Sequence, residues 1–106
     1  MKRMRIIGWT AIGVICLSSS IWAHTPYMAC FDNGDGTVTC NGDFSDGSSA
    51  AGVPMRVVDD QEKLLIQGRM DEDGEFTFQR PDGAFTVIFD GGPNHVVKER
   101  SNTIVP

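Results

Sequence analysis

The chain carries only two histidines, His24 and His95, and three cysteines, Cys16, Cys30 and Cys40. It has no GxSxG turn, no glycine-rich phosphate loop and no window of helical hydrophobic periodicity. These gaps set aside the serine-hydrolase elbow, phosphate-loop nucleotide chemistry and a helical architecture. Cations are scarce as well, with nine Lys and Arg against fourteen Asp and Glu. Nucleic-acid binding needs Lys and Arg to neutralise phosphates, so that class of partner is excluded. The longest apolar run, residues 6–17, falls short of the roughly 18 residues of a membrane-spanning helix.

What is present at the N-terminus has the form of a secretory signal. Lys2, Arg3 and Arg5 make a positive start, "IIGWTAIGVICL" follows as an apolar stretch, and "SSSIWA" is a small and polar exit. Ala23 suits the position before a cut. Ile15, preceding Cys16, does not suit a lipoprotein anchor, which asks for a small residue there. The expected organisation is therefore a cleaved signal at 1–23, one domain at 24–100 and a flexible tail at 101–106, with the product periplasmic or secreted and not inserted in a membrane. After the cut, six basic residues face fourteen acidic ones, a net charge of −8. Such a balance attracts cations.

A domain this small buries a marginal core, and a covalent staple helps it. Cys16 departs with the signal, which leaves Cys30 and Cys40, an even pair in an oxidising compartment. Between them stands "FDNGDGTVT", where Asn33-Gly34 and Asp35-Gly36 are turn signals. A hairpin closing around Asp35 sets Phe31 opposite Thr39 and Asp32 opposite Val38, with Cys30 and Cys40 joined as a structural disulfide. Their spacing lacks the CxxC form of redox pairs.

Turn residues recur every 8–12 positions, the rhythm of an all-β chain. Strands are expected at 26–32, 37–42, 54–59, 63–69, 75–79, 84–90 and 95–100. Alternation is clearest in "EFTFQ" and "AFTVIFD", which set Phe76 and Phe78 on one face and Phe85, Val87 and Phe89 on another. Residues 43–52 read as a polar loop, and Met55 and Met70 as fillers of core gaps. "DNGDG" and "DEDGE" hold fragments of calcium-loop chemistry, yet neither has the ligand spacing of a full loop, and both read as turns. Seven short antiparallel strands make a two-sheet sandwich.

Within residues 52–95, Gly52, Pro54, Val57 and Asp59, then Asp71, Gly74, Phe76 and Phe78, then Gly83 and Val87, form a pattern. It resembles the carboxypeptidase-regulatory-like, transthyretin-type sandwich, with Met55, Met70 and Phe85 standing where that pattern has Val, Thr and Tyr. The closing "DGGPNH" is similar to the end of related domains in periplasmic accessories of nickel and cobalt uptake, differing at Gly91 and Asn94. The resemblance implies an immunoglobulin-like or transthyretin-like sandwich and a role in metal handling.

His24 gives that role a chemical form. At a new N-terminus it offers an α-amine and an imidazole on one residue, and with a second imidazole from His95 these make a histidine brace. Three nitrogens suit Cu(II), with Ni(II) the rival. Both donor types lose their protons readily near neutral pH, and Pro26 stiffens the segment that holds His24. The arrangement resembles the periplasmic copper-resistance C family, where an N-terminal His, a later His and a nearby Asp bind Cu(II). By that likeness His24 and His95 are ligands and Asp90, five residues before His95, is the candidate carboxylate. Tyr27 and Met28 are weaker axial candidates.

The expected function is a non-enzymatic metal chaperone, storage protein or uptake accessory. The alternative is a structural or protein-interaction module of an envelope or transporter assembly that needs no metal. Either way the chain exported by its own signal should have an intact mass that begins at His24. A mass that retains residues 1–23 would remove the free amine, and the brace with it.

Overall fold

Seven strands form in the order β1 Pro26–Asp32, β2 Thr37–Phe44, β3 Pro54–Asp59, β4 Leu64–Arg69, β5 Glu75–Gln79, β6 Phe85–Asp90 and β7 Val96–Arg100. The computed structural model describes residues 25–106. One antiparallel sheet has the order β1-β2-β5 and the other the order β4-β3-β6-β7. The all-β sandwich expected from the turn rhythm is the observed fold.

Short polar side chains build the first hairpin. Asp32 Oδ1 accepts the Gly34 N–H at 2.8 Å, and Asp35 Oδ1 accepts the N–H and hydroxyl of Thr37 at 3.0 and 2.6 Å. These bonds close the turn locally and hold the Asp35 carboxyl below its ordinary pKa, chiefly through the Thr37 hydroxyl. The register that follows pairs Cys30 with Cys40, Phe31 with Thr39 and Asp32 with Val38, as the sequence suggests. Cys30 and Cys40 are joined as a disulfide.

Alternation along the strands delivers one side chain in two to the space between the sheets. Val38 and Cys40 come from the first sheet, and Met55, Val57, Phe85, Val87 and Phe89 from the second; all are fully buried. Each large apolar side chain buried in this way contributes roughly 1.5–3 kcal/mol. Met70 is buried beside them, so Met55 and Met70 both fill the core, as expected. Gly42 lies under the Phe89 ring, where a Cβ would stand 2.7 Å from Cε2. At that point the sheets approach too closely for any side chain on β2.

Two segments differ from the sequence reading. Residues 43–52 are not all loop: β2 runs on through Asp43 and Phe44 because β1 extends to Pro26 and keeps it paired, and Ala50 is fully buried. Residues 101–106 are tied down rather than loose. Ser101–Thr103 form a 3-10 turn, the Ser101 hydroxyl accepts the Phe85 N–H at 3.1 Å, and Ile104 joins the core. A short Ile-Val-Pro end has no period to reveal which residue is buried, which explains the difference.

The open edge of β1 is held against β7 and this terminal segment. Cys30 N–H donates to Glu99 Oε1 at 3.1 Å and Asp32 N–H donates to the Val105 carbonyl at 3.2 Å. Covering an exposed edge in this way protects it from pairing with other chains. It also holds the half of β1 nearer the hairpin.

The disulfide closes a loop of 10 residues' separation, for which chain entropy gives about 2–3 kcal/mol. That equals roughly one large buried side chain. Urea unfolding of the C30S/C40S double variant should show a loss of about that size. An unchanged midpoint would mean that the ladder alone sets the hairpin.

Candidate metal centre

The chain enters the described structure at Thr25, which continues the β1–β2 ladder beyond Pro26. Its N–H donates to the Ser45 hydroxyl at 2.7 Å, and its carbonyl accepts the Ser45 N–H at 2.8 Å. Two reciprocal bonds between the same pair of residues form a clamp. The turn that follows closes through Gly47 N–H to the Phe44 carbonyl at 2.9 Å. Inside it Asp46 Oδ1 accepts the Ser48 N–H at 2.9 Å and the Ser48 hydroxyl at 2.6 Å.

Phe44 is the hinge of the geometry. Its ring meets Phe89 edge-on with centroids 5.8 Å apart, and meets His95 edge-on at 6.4 Å. The clamp on β2 and the loop carrying His95 therefore share one end of the sandwich, although they belong to different sheets.

That loop, residues 91–95, is fixed by its own backbone. His95 N–H donates to the Gly92 carbonyl and Gly91 N–H to the His95 carbonyl, each at 2.9 Å. Asn94 takes a left-handed conformation with φ 67°, which asparagine tolerates better than most residues. A Cβ on Gly91 would fall 2.9 Å from the His95 carbonyl oxygen and 3.2 Å from the His95 Cβ. Glycine there lets the loop fold tightly onto the end of β6.

The imidazole of His95 lies with Nδ1 2.9 Å from the Pro93 carbonyl. A carbonyl can only accept, so Nδ1 carries the proton of that bond. In the neutral ring this leaves the lone pair on Nε2. Metal-ligating histidines commonly have this arrangement, one nitrogen donating to a carbonyl while the other faces the metal. The side chain is partly exposed and its tautomer is set in advance, so it fits a nitrogen-ligand role.

Asp90 is placed differently. It stands on the face of β6 opposite to the inward Phe85, Val87 and Phe89. Its Oδ2 accepts from Arg56 Nη1 at 3.0 Å and its Oδ1 from the Gly92 N–H at 3.1 Å. The Arg56 hydrogen bond, followed by that of Gly92, holds the Asp90 carboxyl below the usual carboxylate range. Both oxygens are engaged, and the charge is matched by a guanidinium. Tyr27 projects from the outer face of the first sheet, 56% exposed, while Met28 packs on the core. Cys30 and Cys40, in their disulfide, offer no thiolate.

His24 lies outside the described residues, together with the signal segment 1–23 and Cys16. Among the described residues no three His, Cys, Asp or Glu side chains come together in a way that could hold a metal ion. A groove of about 670 Å³ runs between the β1 and β7 edges past Phe31, Lys98 and Thr103, and His95 does not line it. Sequence reasoning found His95 but missed Phe44, Ser45 and Asp46. The available signal was the hairpin register, which continues outward from Cys30–Cys40 to set residue 25 beside residue 45.

Comparison of the chain with family models, curated proteins and solved structures finds no match.

The Asp90 geometry sets the sign of a pH effect. A carboxyl whose pKa is lowered by folding adds stability above its ordinary value of 3.8. That contribution is lost as pH falls through the lowered folded value. Asp90→Asn should therefore flatten part of the fall in stability on acidification below pH 3.8, read from urea midpoints across the acid range. Parallel curves for variant and parent would show that the Arg56 pair contributes nothing to acid sensitivity.

Proposed function

We propose that the protein is a periplasmic or secreted metal-binding protein, a chaperone, store or uptake accessory. It holds one Cu(II), or Ni(II), through the amine and imidazole of His24 and the imidazole of His95. The observation that carries this reading is the clamp. Thr25 is bonded to Ser45 at two points, and the adjacent Phe44 rests against His95. Thr25, the first described residue, therefore stands at the end of the sandwich that also has His95.

The donor chemistry agrees. Amine and imidazole nitrogens in a tetragonal arrangement suit Cu(II) and Ni(II), and the bond from His95 Nδ1 to the Pro93 carbonyl orients its ring. The metal would be cargo or a stored ion, and no catalytic step is assigned to it. The resemblance of residues 52–95 to the sandwiches of metal-uptake accessories points the same way.

A second reading rests on β1. Tyr27 and Phe31 are 56% and 46% exposed, and alternation puts both on the outer face of that strand with Ala29 between them. Such a pair favours a docking module of an envelope or transporter assembly, with no metal required.

Native mass spectrometry of the mature protein titrated with Cu(II) and Ni(II) separates the two. The metal reading expects one tightly held ion, lost in His24→Ala and His95→Ala and lost when an extra residue precedes His24. Unaltered binding in all three variants, or no specific binding by the parent, would leave the docking reading in place.

A further inference from the structure

The outer face of the three-stranded sheet is a surface that the metal reading does not use. Alternation sends the odd-numbered side chains of β1, β2 and β5 to that face. On β1 these are Tyr27, Ala29 and Phe31, all exposed. The register sets Tyr27 opposite Asp43, Ala29 opposite Asn41 and Phe31 opposite Thr39. On the far side of β2, Asn41 is opposite Glu75 and Thr39 opposite Thr77. Four residues of strand put Tyr27 and Phe31 roughly 13 Å apart, with the small Ala29 as the floor between them. Beside that floor is a recess of about 260 Å³, lined by Tyr27, Met28, Ala29, Asn41 and Asp43. The hydroxyl row next to it is locked. Thr39 and Thr77 hydroxyls are bonded at 2.8 Å, and Asn33 Nδ2 donates to the Thr37 and Thr39 hydroxyls at 3.0 and 2.9 Å.

We propose that this face binds a linear, uncharged oligosaccharide whose sugar rings stack on Tyr27 and Phe31. A pyranose has a face of C–H groups and a rim of hydroxyls. The C–H face packs on an aromatic ring, and the rim asks for donors and acceptors close by. Asp43 and Glu75 accept, while the Asn41 amide and the Tyr27 hydroxyl both donate and accept; all four residues are exposed. Charge narrows the ligand further. The outward side chains include Asp43 and Glu75 but no Lys or Arg, so phosphate and carboxylate polymers are repelled. A stacked nucleic-acid strand is set aside for that reason. A protein partner fits less well, because the apolar stripe is one strand wide and borders acids, amides and hydroxyls. Each of those would need its own partner once buried. A sugar brings hydroxyls that donate and accept wherever they fall. Neither His95 nor any residue before Thr25 takes part, so binding here does not depend on a metal.

The test titrates cellohexaose, maltohexaose and chitohexaose into the isotope-labelled, metal-free mature chain. At least one of the three should bind saturably and shift the amide signals of residues 27–31 and 39–43. Signals from β3 and β6, in the other sheet, should stay in place. Tyr27→Ala and Phe31→Ala should each weaken that binding roughly tenfold, while Tyr27→Phe, which keeps the ring, should weaken it less. Both side chains lie on an exposed face, and urea midpoints verify that the variants fold. Unchanged affinity in both alanine variants, or shifts confined to another face, overturns the assignment. Binding to none of the three sugars overturns it too, and returns Tyr27 and Phe31 to the protein docking of the second reading.

Discussion

The pairing register of β1 on β2 is the constraint on which the rest depends. It is fixed at one point by the Cys30–Cys40 disulfide and at the hairpin by the Asp32 and Asp35 side chains. From there it runs the length of the strand to Thr25 and Ser45. Slipping by one residue would exchange the two faces of β1. Cys30 would leave the core, Phe31 would enter it, and Thr25 would lose its partner. The glycine at position 42 adds a second lock, since only there can the Phe89 ring settle against β2. The disulfide found among the described residues thus staples the strand that follows Thr25.

The two ends of the sandwich do different work. At one end Arg80 binds Asp32 at 2.7 Å, lies over the Phe85 ring at 5.4 Å and reaches the Ser101 carbonyl. Arg100 meets Asp60 nearby. Asp32 and Asp60 are matched there by guanidiniums, and the terminal segment is packed in. At the other end stand Asp46, the turn at Asp71, Glu72 and Asp73, and the His95 loop. Carboxylates outnumber guanidiniums in that region, which favours the approach of a cation. The same end has the residue of fixed tautomer and the clamped strand entrance. Asp90 stands at this end too, at the foot of the His95 loop, but its carboxylate is engaged by Arg56 and the Gly92 N–H on the outer face.

Much of this was legible in the sequence, for physical reasons that differ by segment. The turn pairs at 33–36 and the period of two in "AFTVIFD" give strand positions and the Cys30–Cys40 register directly, because both signals are local. His95 stood out through scarcity. Phe44, Ser45 and Asp46 did not, since they sit in a polar stretch whose order comes from pairing with Pro26 and Thr25. Extending the register outward from the disulfide would have found them. Asp90 drew attention by its nearness to His95 along the chain, and only the fold shows Arg56 waiting across the sheet from β3. Ser101 and Ile104 were hidden similarly, each important through one distant partner.

The most direct measurement is the loss of backbone amide signals when substoichiometric Cu(II) is added to the isotope-labelled mature protein, because the paramagnetic ion broadens its neighbours. The account predicts that Thr25, Ser45, Asp46 and the 91–96 loop vanish first. Signals from the 33–37 hairpin and from residues 80–84 at the opposite end should persist. Broadening centred on the 33–37 hairpin, on Asp59–Lys63, or on no defined region would contradict it.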